Sequence, residues 1–404
     1  MEIELQTMIK VSAYLGGGMA IGFGAIGAAI GEGHAAAHAN RALSENPDIS
    51  GDIVKTMLVG QAVAESAAIF ALVIAILLLF LQVPEPTWLK AAALLGAGLC
   101  IGLGALGSGI GSGMPAAEAC RGIARKPEMM GRLTTTMLVG SAVCQTPAIL
   151  SMVIALMLMF INFGDAPTVK AIALFGAGLC MGLGAIGSGI GSGYPAGEAC
   201  KGLSRQPTAA GALTTNMLVG SAVGQTPAIF AMVVALMLMF ISFGDLPFNP
   251  AWGAMIGAAL STGLSAIGSG YGCGLAAGAS CEGIARHPRN VGPLTTTMLV
   301  GQAVAQTPCI FGLLVSFILL FKAFPETTAL APAMALLSAG LCMGFGGIGP
   351  GLGNGMTAEG AIRWVARQVE QASLLMRIML VGQAVSQSTA IYAMVISLVL
   401  IFVV

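Results

Sequence analysis

Apolar stretches of about 30 residues, or roughly 45 Å of helix at 1.5 Å per residue, alternate with short polar segments along the whole chain. None shows the strict apolar–polar alternation of a membrane β-barrel strand. Each stretch is long enough to cross the hydrocarbon and both headgroup layers of a bilayer. Backbone polar groups in lipid must be satisfied internally, so these segments are expected to be helices. The pattern also repeats. The string Met-Leu-Val-Gly ends at Gly60, Gly140, Gly220, Gly301 and Gly382, in steps of 80, 80, 81 and 81 residues. Each unit reads as a Gly-rich apolar segment (96–113 in the second unit), a polar loop (121–132), and a second apolar segment ending at a Phe-rich boundary (137–163). The predicted architecture is all-α and integral to the membrane. It has ten transmembrane helices in five tandem hairpins, at 1–84, 85–165, 166–245, 246–326 and 327–404.

The first segment of each unit is a ladder of glycines, in the second unit Gly102, Gly104, Gly107, Gly109, Gly111 and Gly113. Alternate glycines thin more than one side of a helix, so neighbours can approach closely on both. A helix wedged between two like neighbours fits that pattern. The five hairpins are therefore expected to form an arc of a ring, Gly-rich helices inside and bulkier helices outside.

Composition agrees. The 404 residues are 56% hydrophobic and 8% charged, with mean hydropathy +0.91, far too little charge to cover a soluble surface. A net charge of zero argues against a nucleic-acid partner. The short acidic start lacks a charged n-region and an A-x-A site, so no removable signal peptide is expected. The nine cysteines form no C-x-x-C pair and read as small packing residues. Of the 17 Lys and Arg, all but Lys10, Lys90, Lys170 and Lys322 lie at the loops within units. The positive-inside rule then places those loops in the cytoplasm and both termini outside.

Against this apolar background, Glu65 sits in mid-span, and an intramembrane carboxylate is expensive and functional by default. Glu32 lies about 12 residues before Ser44 and Glu65 about 13 after Asp52, which puts both roughly 18–20 Å from the loop. Two carboxylates in one apolar site do not both ionise without a cation. Ser66 adds a hydroxyl and Val63 a backbone carbonyl, giving an all-oxygen set that suits a hard cation, Na⁺ in preference to H⁺ alone. The other four units lack this chemistry. Gln145, Gln225, Gln306 and Gln387 stand in the place of Glu65, and Ser112, Ser192, Cys273 and Asn354 in that of Glu32. Thr146, Thr226, Thr307 and Ser388 keep the hydroxyl, so these look like silenced sites. Pro147, Pro227 and Pro308 follow two residues after the Gln and are expected to kink their spans.

These residues resemble the c subunit, or proteolipid, of F-type rotary ATP synthases, five times over across essentially the whole chain. The first unit carries the resemblance best, with its glycine ladder to Gly31-Glu32-Gly33, a loop with Asn46-Pro47, and the run GDIVKTMLVGQAVAES. The loops Arg125-Lys126-Pro127, Arg205-Gln206-Pro207 and Arg286-His287-Pro288 resemble the family's Arg-Gln-Pro loop, which docks the central stalk. The first loop departs, with Glu45 in place of the Arg. The fifth keeps Arg367-Gln368 but has Val369 for Pro. The resemblance implies a closed ring, made with itself or with other proteolipid subunits. It implies rotation against a stator a subunit with an essential Arg, and central stalk subunits as partners. The chain itself would be a non-catalytic membrane subunit without cofactor, its transported Na⁺ or H⁺ riding on the carboxylate. Na⁺-coupled members place Gln or Glu at the Glu32 position and Glu-Ser at Glu65-Ser66; many have Thr where this chain has Ala67. Hairpin fusion with loss of carboxylates resembles the V-type proteolipid and goes further here. A ten-span secondary transporter of parallel repeats, or a passive proteolipid pore, are the rival readings.

Overall fold

A computed structural model describes residues 2–164, 167–242 and 246–403. Among them, ten helical segments are long and apolar enough to cross a membrane, and no strand occurs. The expected hairpin limits at 165, 166 and 245 lie outside the described residues.

The first helices of the five hairpins are Glu2–Glu45, Trp88–Arg125, Thr168–Arg205, Phe248–Arg286 and Leu330–Arg367. The second helices are Ser50–Phe80, Met130–Phe160, the pair Ala210–Gly224 and Thr226–Phe240, Val291–Phe321 and Ala372–Val403. The first helices run past the apolar stretch into the polar segment that the pattern reads as loop. Charge does not break a helix that has reached water, and pairs such as Arg121–Glu118 (2.7 Å) and Lys201–Glu198 (2.7 Å) support the last turns. What remains of each loop is one extended residue and a 3₁₀ turn: Pro47–Ile49, Pro127–Met129, Pro207–Ala209, Pro288–Asn290 and Val369–Gln371. Proline fits the first position of such a turn because its missing N–H would have no partner there. Val369 forms the same turn without it.

The Gly-rich helices pack side by side as one layer, each on the next, and the second helices cover them as another. Neighbouring second helices touch one another far less than neighbouring Gly-rich helices do. Spacing that is tight in one layer and loose in the other bends the array toward the glycine side. The first and last hairpins make no substantial contact, so the array is an open arc.

The ladder has two faces. Gly98, Gly102 and Gly113 lie against the backbone of hairpin 1, at Gly16, Met19 and Gly31. Gly107 and Gly111 lie against hairpin 3, at Ile186 and Gly189. A Cβ at any of these would overlap backbone rather than a side chain that can swing away. Gly111→Val is therefore expected to destabilise the chain by about 3 kcal/mol, the upper part of the overpacking range, which a denaturing-detergent titration in micelles would read. The same change at Gly33, where a Cβ meets nothing, should leave the isolated chain unchanged.

All nine cysteines are free, and all but Cys342 are buried. On the face opposite the loops, Lys90 donates to Met159 and Ile161, Lys170 to Ile241 and Lys322 to Ile401, each clipping the carbonyl end of a second helix.

Candidate functional site

Glu32 and Glu65 stand on the paired helices of hairpin 1, and Gln61, one turn before Glu65, donates to the Glu32 carbonyl (3.2 Å). Glu32 is partly buried and Glu65 is exposed. The bond from Gln61 puts the two residues at a similar level on the paired helices, as counting from the loop expects. Val63 and Ser66 are oriented elsewhere. Ser66 Oγ donates to the Val63 carbonyl (2.6 Å), and that carbonyl also accepts from Gln145 Nε2 of hairpin 2 (3.0 Å). Residues turn 100° per step around a helix, so Val63 and Glu65, two steps apart, face nearly opposite ways. The four oxygen donors are divided between the two sides of hairpin 1.

The silenced positions explain the division. Gln145 Nε2 reaches back to the Val63 carbonyl and to Ser112 Oγ (2.7 Å). Gln225 Nε2 reaches back to the Val143 carbonyl (2.9 Å), and Gln306 Nε2 to that of Val223 (2.8 Å). In hairpin 5, Asn354 Nδ2 spans to the Val304 carbonyl (3.3 Å) and to Gln387 Oε1 (2.7 Å). Each site position therefore belongs to a seam between consecutive hairpins. The earlier hairpin supplies a carbonyl, and the later one the group from the Glu65 or Glu32 position. In every internal seam that group is an amide whose N–H donates to the carbonyl. A neutral hydrogen bond fills the place where a cation would satisfy two acceptors.

The prolines belong to this arrangement. A proline removes the N–H that would bond the carbonyl four residues back. For Pro147, Pro227 and Pro308 that carbonyl belongs to Val143, Val223 and Val304, the acceptors of the next hairpin's amide. Only in hairpin 3 is the helix interrupted, at Gln225 between two helical pieces; the helices of Pro147 and Pro308 run through. The kink expected at all three is a break at one.

A second ladder escapes the sequence reading. Gln302 Nε2 donates to the Gly220 carbonyl (2.8 Å) of the preceding hairpin and to Cys273 O (3.0 Å) of its own. Gln383 does the same to Gly301 (3.1 Å) and Asn354 (3.0 Å). Gln61 makes only the bond within its hairpin, to Glu32 O (3.2 Å). The chain does carry a signal for it: the three Gln residues share one place in the repeat, four before the Glu65 position.

At the loop end, Arg125, Arg205, Arg286 and Arg367 are all exposed on one surface, with Pro47, Pro127, Pro207 and Pro288 in the turns between the helices. Asn46 Nδ2 ties its loop to the Ala124 carbonyl of hairpin 2 (3.2 Å). Glu282 pairs with Arg286 (2.5 Å) and across the seam with Arg363 (3.2 Å).

Residues 15–78, 95–158, 175–238, 256–319 and 337–400 each match the ATP synthase C subunit family. The chain belongs to that family. Among its relatives, the K subunit of the A-type ATP synthase of Methanocaldococcus jannaschii is 30% identical over 227 residues, which is 56% of this chain and 95% of that protein. The ATP synthase c subunit of Thermotoga petrophila is 51% identical over 67 residues, 17% of this chain and 79% of the relative. That of Natranaerobius thermophilus is 47% identical over 78 residues, 19% and 90% respectively. An A-type relative and plain ATP synthase relatives both match, so family membership holds at a broader level than the F-type resemblance of the sequence. Within the family, this chain is a fusion of five units with ten membrane-crossing helices.

Proposed function

We propose that the chain is a rotor-ring subunit of a rotary ATPase that carries one Na⁺ (or H⁺) per chain across the cell membrane on Glu65. The observation behind this is the contrast between hairpin 1, whose paired helices carry Glu32 and Glu65, and the four internal seams, each closed by an amide hydrogen bond. A transporter with a central pocket would draw polar groups from several repeats onto one point. Here each repeat has its own seam at the same depth, and only one seam is charged. The exposed Arg125, Arg205, Arg286 and Arg367 form the surface for the central stalk, with the loops on the cytoplasmic side. A stator a subunit, contributing an Arg, faces Glu65 from the lipid side as the ring turns. Two or three chains, or this chain with other proteolipids, close the ring.

The test is carbodiimide labelling of the assembled ring. The reagent attacks a protonated carboxyl, so labelling should concentrate on Glu65 and fall as pH rises and the proton leaves. Na⁺ should protect the residue by displacing the same proton. Labelling indifferent to Na⁺ at every pH would make the site a proton site. Labelling absent from Glu65 would remove the function from it.

A further inference from the structure

We infer that His34 and His38 form a chelate for a divalent transition-metal ion of the zinc type on hairpin 1, with Glu118 of hairpin 2 as the carboxylate that orients His38.

The chain holds three histidines, and two of them stand four residues apart on the first helix of hairpin 1. Four residues turn a helix by about 400°, so both imidazoles lie on one face. Their ring centroids are 4.5 Å apart and their planes are tilted by 44°. Two histidines at this spacing are the arrangement with which a helix grips zinc through two nitrogens. The other hairpins do not repeat it. Met114, Tyr194, Leu275 and Met356 stand in the place of His34, and Glu118, Glu198, Ala279 and Gly360 in that of His38.

The charges around His38 single it out further. In hairpins 2 and 3 the acid at this level pairs with the base three residues on, Glu118 with Arg121 and Glu198 with Lys201. Hairpin 1 has His38 and Arg41 in those places, and Arg41 turns to Glu45 instead (3.2 Å). His38 Nδ1 lies across the seam from Glu118 Oε1, at 3.9 Å. That is too long for a hydrogen bond. Nδ1 is buried without a hydrogen-bond partner among the described residues, and so is Glu118 Oε2. The helices cannot drift apart here, because Gly31 packs on the backbone of Gly109 and Gly113 on that of Gly31. A turn of the Glu118 side chain closes the gap.

A carboxylate at one ring nitrogen holds the proton there and leaves the other nitrogen free for a metal. Glu118 is so placed at Nδ1, which leaves Nε2 of His38 as ligand. Arg121 Nη1 donates to Glu118 Oε1 (2.7 Å) and fixes the carboxylate in its turn. His34 is exposed and supplies the second nitrogen, and water fills the remaining positions. Arg41 and Arg121 are the nearby cations, and Glu45 and Glu118 pair with them. Imidazole nitrogen selects Zn²⁺, Cu²⁺ or Ni²⁺ over Mg²⁺ and Ca²⁺, which take oxygen. The chelate is also separate from the carboxylate site: His38 lies six residues past Glu32, about 9 Å nearer the loop.

The experiment titrates the full chain, purified as its assembled ring, with Zn²⁺ against a chromophoric chelator in Na⁺-containing buffer. One Zn²⁺ should bind per chain, and Mg²⁺ should not compete. His34→Ala and His38→Ala should each weaken binding at least 10-fold, and His287→Ala, at the third histidine, should leave it unchanged. Glu118→Gln should weaken it about 10-fold, as expected for loss of an orienting carboxylate. Affinity should fall as the pH drops through about 6.5, where protons compete for imidazole. X-ray absorption at the zinc edge should show two imidazole nitrogens at about 2.0–2.1 Å. Wild-type affinity in both His34→Ala and His38→Ala overturns the chelate, as does a zinc shell without imidazole or equal competition by Mg²⁺. Unchanged affinity in Glu118→Gln overturns the orienting role of Glu118.

Discussion

Ion transport by the assembled complex is expected to vanish in Glu65→Gln, to below about 1% of wild type, a loss of at least ~2.7 kcal/mol at ~1.4 kcal/mol per tenfold. The change makes hairpin 1 resemble hairpins 2 to 5 at this position, all of which carry Gln and fold with it. Misfolding is thus controlled for inside the chain. The amide carries no charge and does not titrate near neutral pH, so neither cation can ride on it as on a carboxylate. Glu32→Gln should be milder, because an amide oxygen can still serve as a ligand: about a tenfold loss of ion affinity, or ~1.4 kcal/mol. Na⁺ uptake into proteoliposomes driven by ATP, with ring content checked on gels, separates the two. Uptake at wild-type rates in Glu65→Gln would end the assignment.

The coupling ratio should be one ion per chain per turn, so a ring of two or three copies moves two or three ions for each rotation. An elementary charge crossing 100 mV supplies about 2.3 kcal/mol, so such a ring gathers only about 5 to 7 kcal/mol per turn at that potential. A soluble head that makes several ATP per turn needs more, and synthesis should stall. In the hydrolytic direction the same ratio concentrates the energy of several ATP on few ions and builds a steep gradient. The expected result is therefore ATP-driven pumping with few ions moved per ATP. Robust ATP synthesis at 100 mV by a ring shown to hold only this chain would overturn it. Gln145→Glu offers a matched gain-of-function test. That seam already has the Val63 carbonyl and the Ser66 hydroxyl on the facing side, Ser112 beside it and no proline in the facing helix. Ions moved per ATP should double. An unchanged ratio, with the variant assembled into the ring and its new carboxylate unlabelled by carbodiimide, would show that a carboxylate in this seam is not enough.

Much of the molecule is legible in the chain. The 80- to 81-residue step, the paired apolar stretches and the glycine ladder lead to ten helices in five hairpins, because in lipid the backbone leaves so few alternatives. That Glu32 and Glu65 lie at a similar level follows from residue counting along two antiparallel helices. The side of the helix is harder. Spacing places Val63, Glu65 and Ser66 at one depth, but which neighbouring hairpin each one faces depends on how helices rotate against each other in the arc. A proline in a sequence signals what it does to its own helix. The larger effect here falls on the next hairpin, through the carbonyls of Val143, Val223 and Val304. The loops are shorter than the polar pattern implies, because charged residues such as Arg121 and Arg125 mark where the bilayer ends and not where the helix does.

In the proposed rotor, the four amide-closed seams would also set the rhythm of rotation. Between one hairpin bearing Glu65 and the next, a rotor of these chains would carry four seams with no charge to exchange past its stator. Motion through that arc is a swing without intermediate stops, and nothing along it resists reversal electrostatically. A stalk turning with such a rotor would then have to carry it over a wide angle before the next ion engages. On that reading, step size is written into the chain as the distance between carboxylates.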